Sequence, residues 1–301
     1  MSGVSSLDTF ELHMAISEVD VSGSLDLVGR IACDCELSKN SIKETINKGA
    51  LWITPAKQKK TRRLRRVKTK LAVGDQLHFY YDPVVLQQQV PAARLISSDE
   101  EVKLGYSIWY KPYGMYCQGS KWADHCTIVR SVEQQTHSNA YLVHRLDRAT
   151  QGLIVVAHKK QVAALLSQMF KERKVEKNYQ AVVEGVYLAE DDSARIDIPI
   201  DDKPAVSYVK PLSYCAKNNT TLVEVKIETG RKHQIRKHLS QSGFPIVGDR
   251  LYGTYQEEGD ERASEGNAES KQDINLQLYA YKLSFTCPVT QKERSYSCAG
   301  L

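Results

Sequence analysis

The stretch GLIVVAH, residues 152–158, is short and apolar at nearly every position, and the turn-like segment RLDRATQ leads into it. A run of this length between turn signals reads as a buried strand. Further strand-like segments surround it: YSIWYKP (106–112), NYQAVVEG (178–185), AVSYVKPLSYC (205–215), TLVEVKIET (221–229) and NLQLYAYKLSFTC (275–287). Helical periodicity occurs less often. KQVAALLSQMFKER places Val162, Leu165, Leu166, Met169 and Phe170 on one face, and KHQIRKHLSQSG is a short helix stopped by Gly243. Strands outnumber helices and do not alternate strictly with them. This favours an α+β domain built on mainly antiparallel sheets over a doubly wound parallel sheet.

Upstream, the pattern is that of a smaller unit. LSKNSIKETINKG is a capped helix, with Ser38 or Ser41 at its start, Ile42 and Ile46 four apart, and Gly49 at its stop. ALWIT and GDQLHFYY read as strands. DPVVLQQQVPAARLISSDE has two prolines and little periodicity, the mark of a linker. The expected organisation is an extension over 1–20, a small α+β module over 21–82, a linker over 83–103 and a main domain over 104–301. No internal repeat is visible. A chain of 301 residues accommodates two domains of ordinary size, about 100–200 residues each.

The formal net charge is only +5, but it is unevenly distributed. KQKKTRRLRRVKTK, residues 57–70, carries nine basic side chains and no acidic one, whereas YQEEGDERASEGNAE, residues 255–269, is largely acidic. A basic cluster on a folded chain points to a polyanionic partner, although a solvated loop has the same composition. Seven cysteines without a CxxC pair argue against a disulfide framework or a cysteine zinc site. No apolar run approaches the roughly 18 residues of a membrane span, and MSGVSSLDTFELHM lacks a signal-type pattern. The expectation is a reduced, cytoplasmic protein with no membrane association.

Two clusters carry candidate chemistry. LVHRLDRATQGL sets Asp147 between Arg145 and Arg148, with His144 just ahead. The arginines would keep the carboxylate ionised and could bind phosphate, although an aspartate among arginines is also an ordinary salt-bridged turn. The second cluster, IETGRKHQIRKHLSQSGFPIVGDRLYG, gathers Arg231, His233, Arg236 and His238 within eight residues, with His233 and Arg236 on one helical face.

Together the clusters resemble the RluA-like family of RNA pseudouridine synthases. HRLDRATQGL is similar to the family's HRLDxxTSGL signature, and TGRKHQIRKHLSQSGFPIVGD followed by YG is similar to TGRxHQIRxHLxxxGxPIxGDxxYG. KPYG (111–114), KNYQAVVEG (177–185) and KPAVSY (203–208) resemble three further family segments, in the family's order. The resemblance covers roughly 104–297. Residues 25–82 resemble the small RNA-binding module of a ribosomal protein, with Lys39 where an arginine is usual.

The resemblance implies a catalytic domain of abutting, mainly antiparallel mixed sheets flanked by helices around a central RNA-binding cleft. It implies isomerisation of uridine to pseudouridine in ribosomal or transfer RNA, with no cofactor, no metal and no obligatory protein partner, by a monomer. Asp147 is then the essential carboxylate, either a nucleophile on the ribose or a base at its 2′ position. Arg236 is the cation paired with it, and Tyr179 is the ring that stacks on uracil. Arg145 fills the gap left by the flipped base. Arg148, Arg231, His233, Lys39, Lys48, Arg62, Arg63, Arg65 and Arg66 contact RNA. Gln151 in place of serine and Cys287-Pro288 in place of His-Pro depart from the pattern. Two other readings compete. One is a non-catalytic RNA-binding protein with the same fold. The other is a metal-dependent phosphoesterase using His144, Asp147, His233 and His238, which no metal-site spacing supports.

Overall fold

The computed structural model describes residues 8–23, 26–189, 192–253 and 274–299. The chain divides into two compact units, one made of residues up to Val90 with Gln118–Ser131, the other of Pro91–Cys117 and the chain from Val132 onwards. Most of the acidic segment, including 255–269, lies outside the described residues.

The strands are β1 (Phe10–Ala15), β2 (Leu51–Thr54), β3 (Arg62–Arg63), β4 (Gln76–Tyr81), β5 (Arg94–Leu95), β6 (Tyr106–Lys111), β7 (Tyr141–Leu142), β8 (Gln151–Ala157), β9 (Val175–Glu184), β10 (Ala194–Ile196), β11 (Ser207–Cys215), β12 (Thr220–Ile227), β13 (Leu278–Thr286) and β14 (Glu293–Ser297). The helices are α1 (Glu18–Ser22), α2 (Leu27–Ala32), α3 (Lys39–Asn47), α4 (Pro83–Gln87), α5 (Asp99–Leu104), α6 (Ile128–Thr136), α7 (Lys160–Lys171) and α8 (Gln234–Gln241).

In the first unit β1, β4, β2 and β3 form an antiparallel sheet in that order. Strand alternation turns Phe10, Met14, Leu51, Ile53, Leu77 and Phe79 into a core closed by Leu27, Val28 and Ile31 of α2 and Ile42 and Ile46 of α3. Ser38 caps α3, its hydroxyl accepting from the Ser41 amide at 3.1 Å. Three boundaries differ from the sequence reading. Residues 10–15, expected in an extension, are a sheet strand paired along its whole length with β4. The expected linker 83–103 holds α4, β5 and α5. Residues 118–131, from within the main domain's span, group with the small unit. The pieces α4, α5 and β5 are too short to leave a periodic signal of their own, whereas β1 does alternate, Phe10, Leu12 and Met14 against Glu11 and His13.

In the second unit the strands run β10-β11-β12-β9-β13-β8-β6-β5, with β14 beside β13 and β7 beside β8. All pairs are antiparallel except β13 with β8. The α+β class with antiparallel sheets is therefore the observed one. The two halves expected to abut are joined into one continuous sheet through this parallel contact, Tyr279 opposite Gln151 and Ala280 opposite Gly152. Gly152 makes the contact possible. Its φ is +116°, and a Cβ there would lie 2.3 Å from the Ala280 carbonyl oxygen. On α7, Val162 and Leu166 are buried with Met169 and Phe170 against the sheet core, while Leu165, expected on the same face, is exposed.

Candidate active site

Asp147 lies in the loop between β7 and β8, and that loop is fastened on both sides of it. On one side, the Leu146 amide donates to Cys117 Sγ at 3.2 Å and the thiol donates to the Leu146 carbonyl at 3.2 Å. On the other, the Arg148 carbonyl accepts from the Gly114 amide at 3.0 Å and from Lys111 Nζ at 3.3 Å, and Arg148 Nε returns a bond to the Gly114 carbonyl at 3.2 Å. The Thr150 amide closes the turn onto the Asp147 carbonyl at 3.1 Å. The Asp147 side chain stays 26 % exposed. A carboxylate held by its neighbours' backbone, but itself open, suits chemistry on an incoming molecule.

Lys111, at the end of β6, is fully buried. Its ammonium group donates to the carbonyls of Met115 (2.9 Å), Pro112 (3.2 Å) and Arg148 (3.3 Å), so all three hydrogens are used. Burial pulls its pKa down to about 8, against the opposing pull of Cys117 and Asp147. The KPYG segment contained this signal, yet Lys111 was not among the expected site residues. Its folded pKa lies below the unfolded value of about 10.4, so the unfolded chain binds more protons between them and stability rises with pH in that window. We expect the stability advantage of wild type over Lys111→Met to grow by on the order of 2 kcal/mol from pH 8 to pH 10. Denaturant titrations at the two pH values check this, and an advantage that shrinks would contradict it.

Tyr179 stands in β9 opposite Val225 and Ala280 and is buried. Burial pushes its phenol pKa up, and the charge of Asp147 and the nearby Cys117 push it further, so the ring stays protonated. At the head of α8, Gln234 ties the TGR turn to β11. Its amide group donates to the Val206 carbonyl (2.9 Å) and the Ser207 hydroxyl (3.0 Å), while its oxygen accepts from Thr229 (2.6 Å) and the Arg231 amide (3.1 Å). This fixes His233, whose φ is +55°. Its Nδ1 shares a 2.9 Å hydrogen bond with the Tyr252 hydroxyl, and Nε2 lies 3.8 Å from Asp147. Burial lowers the His233 pKa, with Arg236 and Lys232 acting in the same direction and Asp147 and Asp249 against it.

The pairing expected between Arg236 and Asp147 is not what the structure contains. Arg236 forms a two-pronged ion pair with Asp249, Nε to Oδ2 at 2.7 Å and Nη2 to Oδ1 at 2.6 Å. The side chains are 6 % and 1 % exposed. Asp249 also accepts from the amides of Leu251 and Tyr252, and the guanidinium lies 5.0 Å from the Tyr252 ring centroid. Gly248 (φ +78°) leads into this turn, where a Cβ would lie 2.5 Å from the Asn275 carbonyl oxygen. Both prongs of the guanidinium match one carboxylate, so Arg236 acts on Asp147 only through its charge. The GD of the second motif was the available sign of Asp249.

Arg145 and Arg148 are exposed beside Asp147, and Arg231 directs Nε to the Pro204 carbonyl at 3.1 Å. His144 is held within the fold. Its Nε2 accepts from the Val155 amide at 2.9 Å, its ring stacks on Phe170, and burial lowers its pKa to about 3. His238 is equally committed, to the Ser207 hydroxyl and the Ile198 carbonyl. Among the described residues no group of three His, Cys, Asp or Glu side chains is arranged to hold a metal ion. Gln151 accepts from the Tyr110 hydroxyl at 2.9 Å, and Cys287 is buried in the turn before β14.

The remaining expected RNA contacts lie in the first unit. Lys39, Arg62 and Arg66 are exposed and Lys48 is half-buried. Arg63 and Arg65 are a correction. Both pair with the buried Asp124, and Arg63 also lies 4.2 Å over the Trp52 ring and donates to the Ser120 carbonyl. One carboxylate offsets one of the two charges and holds both side chains against the fold.

Residues 105–241 match the family model for RNA pseudouridylate synthase. A tRNA pseudouridine synthase C of Pasteurella multocida is 33 % identical over 219 residues, which cover 64 % of this chain and 86 % of the relative. An uncharacterized RNA pseudouridine synthase of Aquifex aeolicus is 28 % identical over 243 residues, covering 72 % and 73 %. The solved structure of human RNA pseudouridylate synthase domain containing 4 shares the fold, with a TM-score of 0.55 and 24 % identity over 69 % of this chain and 88 % of that one.

Proposed function

Because the chain belongs to the RNA pseudouridylate synthase family and is an RNA pseudouridine synthase, we propose that Asp147 is its essential carboxylate, acting on a uridine of transfer RNA. The observation that carries this reading is the loop fastened at Leu146 and Arg148, which leaves one open carboxylate near a buried, protonated tyrosine. Pseudouridine synthesis breaks the N-glycosidic bond, turns the uracil, and joins its carbon 5 to the same ribose; the proton on carbon 5 is lost and the freed N1 takes one up. The reaction is an isomerisation and balances without oxidant or reductant. It requires a carboxylate at the ribose and a flat surface to hold the freed base, the roles we give to Asp147 and Tyr179. Arg145, exposed two residues before Asp147, fills the stack vacated by the flipped uridine. Arg148, Arg231 and His233 complete the RNA contacts around a cleft at the catalytic carboxylate.

We assign the transfer RNA substrate from relatives such as the Pasteurella multocida enzyme. Transcripts carrying tritium at uridine carbon 5 test it. The purified chain should release tritium to water from transfer RNA at least tenfold faster than from ribosomal RNA at equal concentration. Equal or faster release from ribosomal RNA would overturn the assignment. Seven free thiols fit a reducing, cytoplasmic setting, and no helix among the described residues is long and apolar enough to cross a membrane.

Residues 21–82 we read as the RNA-capturing module and 104–301 as the catalytic domain. In the module, Lys39, Lys48, Arg62 and Arg66 are the cations left for phosphate, while Arg63 and Arg65 brace the loop against Asp124. Arg62→Gln with Arg66→Gln should weaken RNA binding and flatten its dependence on log salt concentration by roughly 0.7–0.9 per lost contact. Filter binding over a salt series measures this. An unchanged slope would mean that neither Arg62 nor Arg66 touches a phosphate.

A further inference from the structure

We infer that Tyr116 and Arg148 form a stacking step for the nucleobase next to the target uridine. Tyr116 is near the end of the 112–117 loop and is 36 % exposed, unusual for so large a ring among otherwise buried neighbours such as Met115 and Cys117. The Arg148 guanidinium carbon lies 4.8 Å from its centroid. Arg148 Nε is committed to the Gly114 carbonyl, and among the described residues its two terminal amino groups have no partner. A ring backed by a guanidinium, with free donors at its rim, suits a flat base attached to a phosphate.

The pair is built to stay in place. The Arg148 carbonyl is held by Gly114 and Lys111, the Met115 carbonyl is held by Lys111, and Cys117 is locked to Leu146. Little freedom remains to be lost when a base arrives. The position is equally specific, because Arg148 directly follows Asp147 in the chain. A uridine drawn out of its stack towards Asp147 bares one face on each of its two neighbours, and Arg145 in the gap does not hold the strand beyond it. Tyr116, packed on the residue that follows Asp147, offers one neighbour a further surface on which to rest. Every base has a flat face to stack, so the step would serve any base beside the target.

This assignment rests on the reading of Asp147 as the RNA-directed carboxylate, and its test is independent of turnover. The full-length Asp147→Asn chain is titrated by fluorescence anisotropy with heptauridylate and with hepta-dihydrouridylate. The second has the same backbone and pairing edge, but its puckered rings stack poorly. With Tyr116 intact, heptauridylate should bind the tighter, by roughly 5- to 100-fold. Adding Tyr116→Ala should shrink that ratio at least fivefold, and Tyr116→Phe should preserve it within twofold. A ratio unchanged by alanine, or lost equally with phenylalanine, overturns the stacking step, as does binding of neither oligomer. Failure of the catalytic reading shows elsewhere, as no tritium release from labelled transcripts by the unmodified chain.

Discussion

Asp147→Asn should lower the saturated rate of pseudouridine formation by at least a hundredfold while RNA affinity stays within a few-fold. The substitution is nearly isosteric. It leaves the fastenings at Leu146 and Arg148 intact, because they use backbone atoms, Cys117, Lys111 and Gly114 rather than the carboxylate. What it removes is the negative charge that would assist departure or recapture of the ribose carbon, or take its 2′ proton. Each factor of ten in rate is about 1.4 kcal/mol of barrier, and loss of an essential group should cost several such factors. Single-turnover kinetics at saturating enzyme separate this from binding. Residual chemistry above about one per cent of wild type would mean that Asp147 only orients the substrate.

The second large effect concerns stability. Asp249→Ala should destabilise the fold by about 3–5 kcal/mol, because it leaves Arg236 charged, buried and unpaired. Replacing both partners, Arg236→Met with Asp249→Leu, should recover much of that loss, since the uncompensated charge is then gone. The pair also sets a pH dependence. Burial would raise the Asp249 pKa, but hydrogen bonds from Arg236 and from the Leu251 and Tyr252 amides hold it below its ordinary value. A depressed carboxylate contributes stability that is present above its unfolded pKa of about 3.9 and is lost as pH falls through the lower folded value. Denaturant melts of the wild type, both single variants and the double variant form the cycle. Additive losses would show that the ion pair is not a unit.

Strands with a continuous or alternating apolar pattern were legible in the sequence. β6, β8, β9, β11, β12 and β13 each bury at least one face, and burial is what periodicity reports. The same holds for α3, α7 and α8. β1 carries the same signal, Phe10, Leu12 and Met14 alternating with Glu11 and His13, so this strand was legible although residues 1–20 were read as an extension. The short pieces α4, α5, β3 and β5 depend on caps and on neighbouring strands rather than on their own pattern. At the candidate site, the motifs singled out Asp147, Tyr179, His233 and Arg236, and the fold sets His233 Nε2 3.8 Å from Asp147. They did not reveal partners. Arg236 faces Asp249, 13 residues on, and Lys111 reaches Arg148 across a sheet, contacts that only the folded path of the chain defines. Arg63 and Arg65 looked like free cations because Asp124, which engages both, lies 59 or more residues away.

Conversion of uridine to pseudouridine through Asp147 is read out by chemical mapping of pseudouridine at single-nucleotide resolution, on unmodified transfer RNA incubated with the purified chain. Wild type should create new pseudouridine at a small, fixed set of positions, and Asp147→Asn should create none at those positions. No new pseudouridine with wild type, or the same positions modified to the same extent by Asp147→Asn, would contradict it.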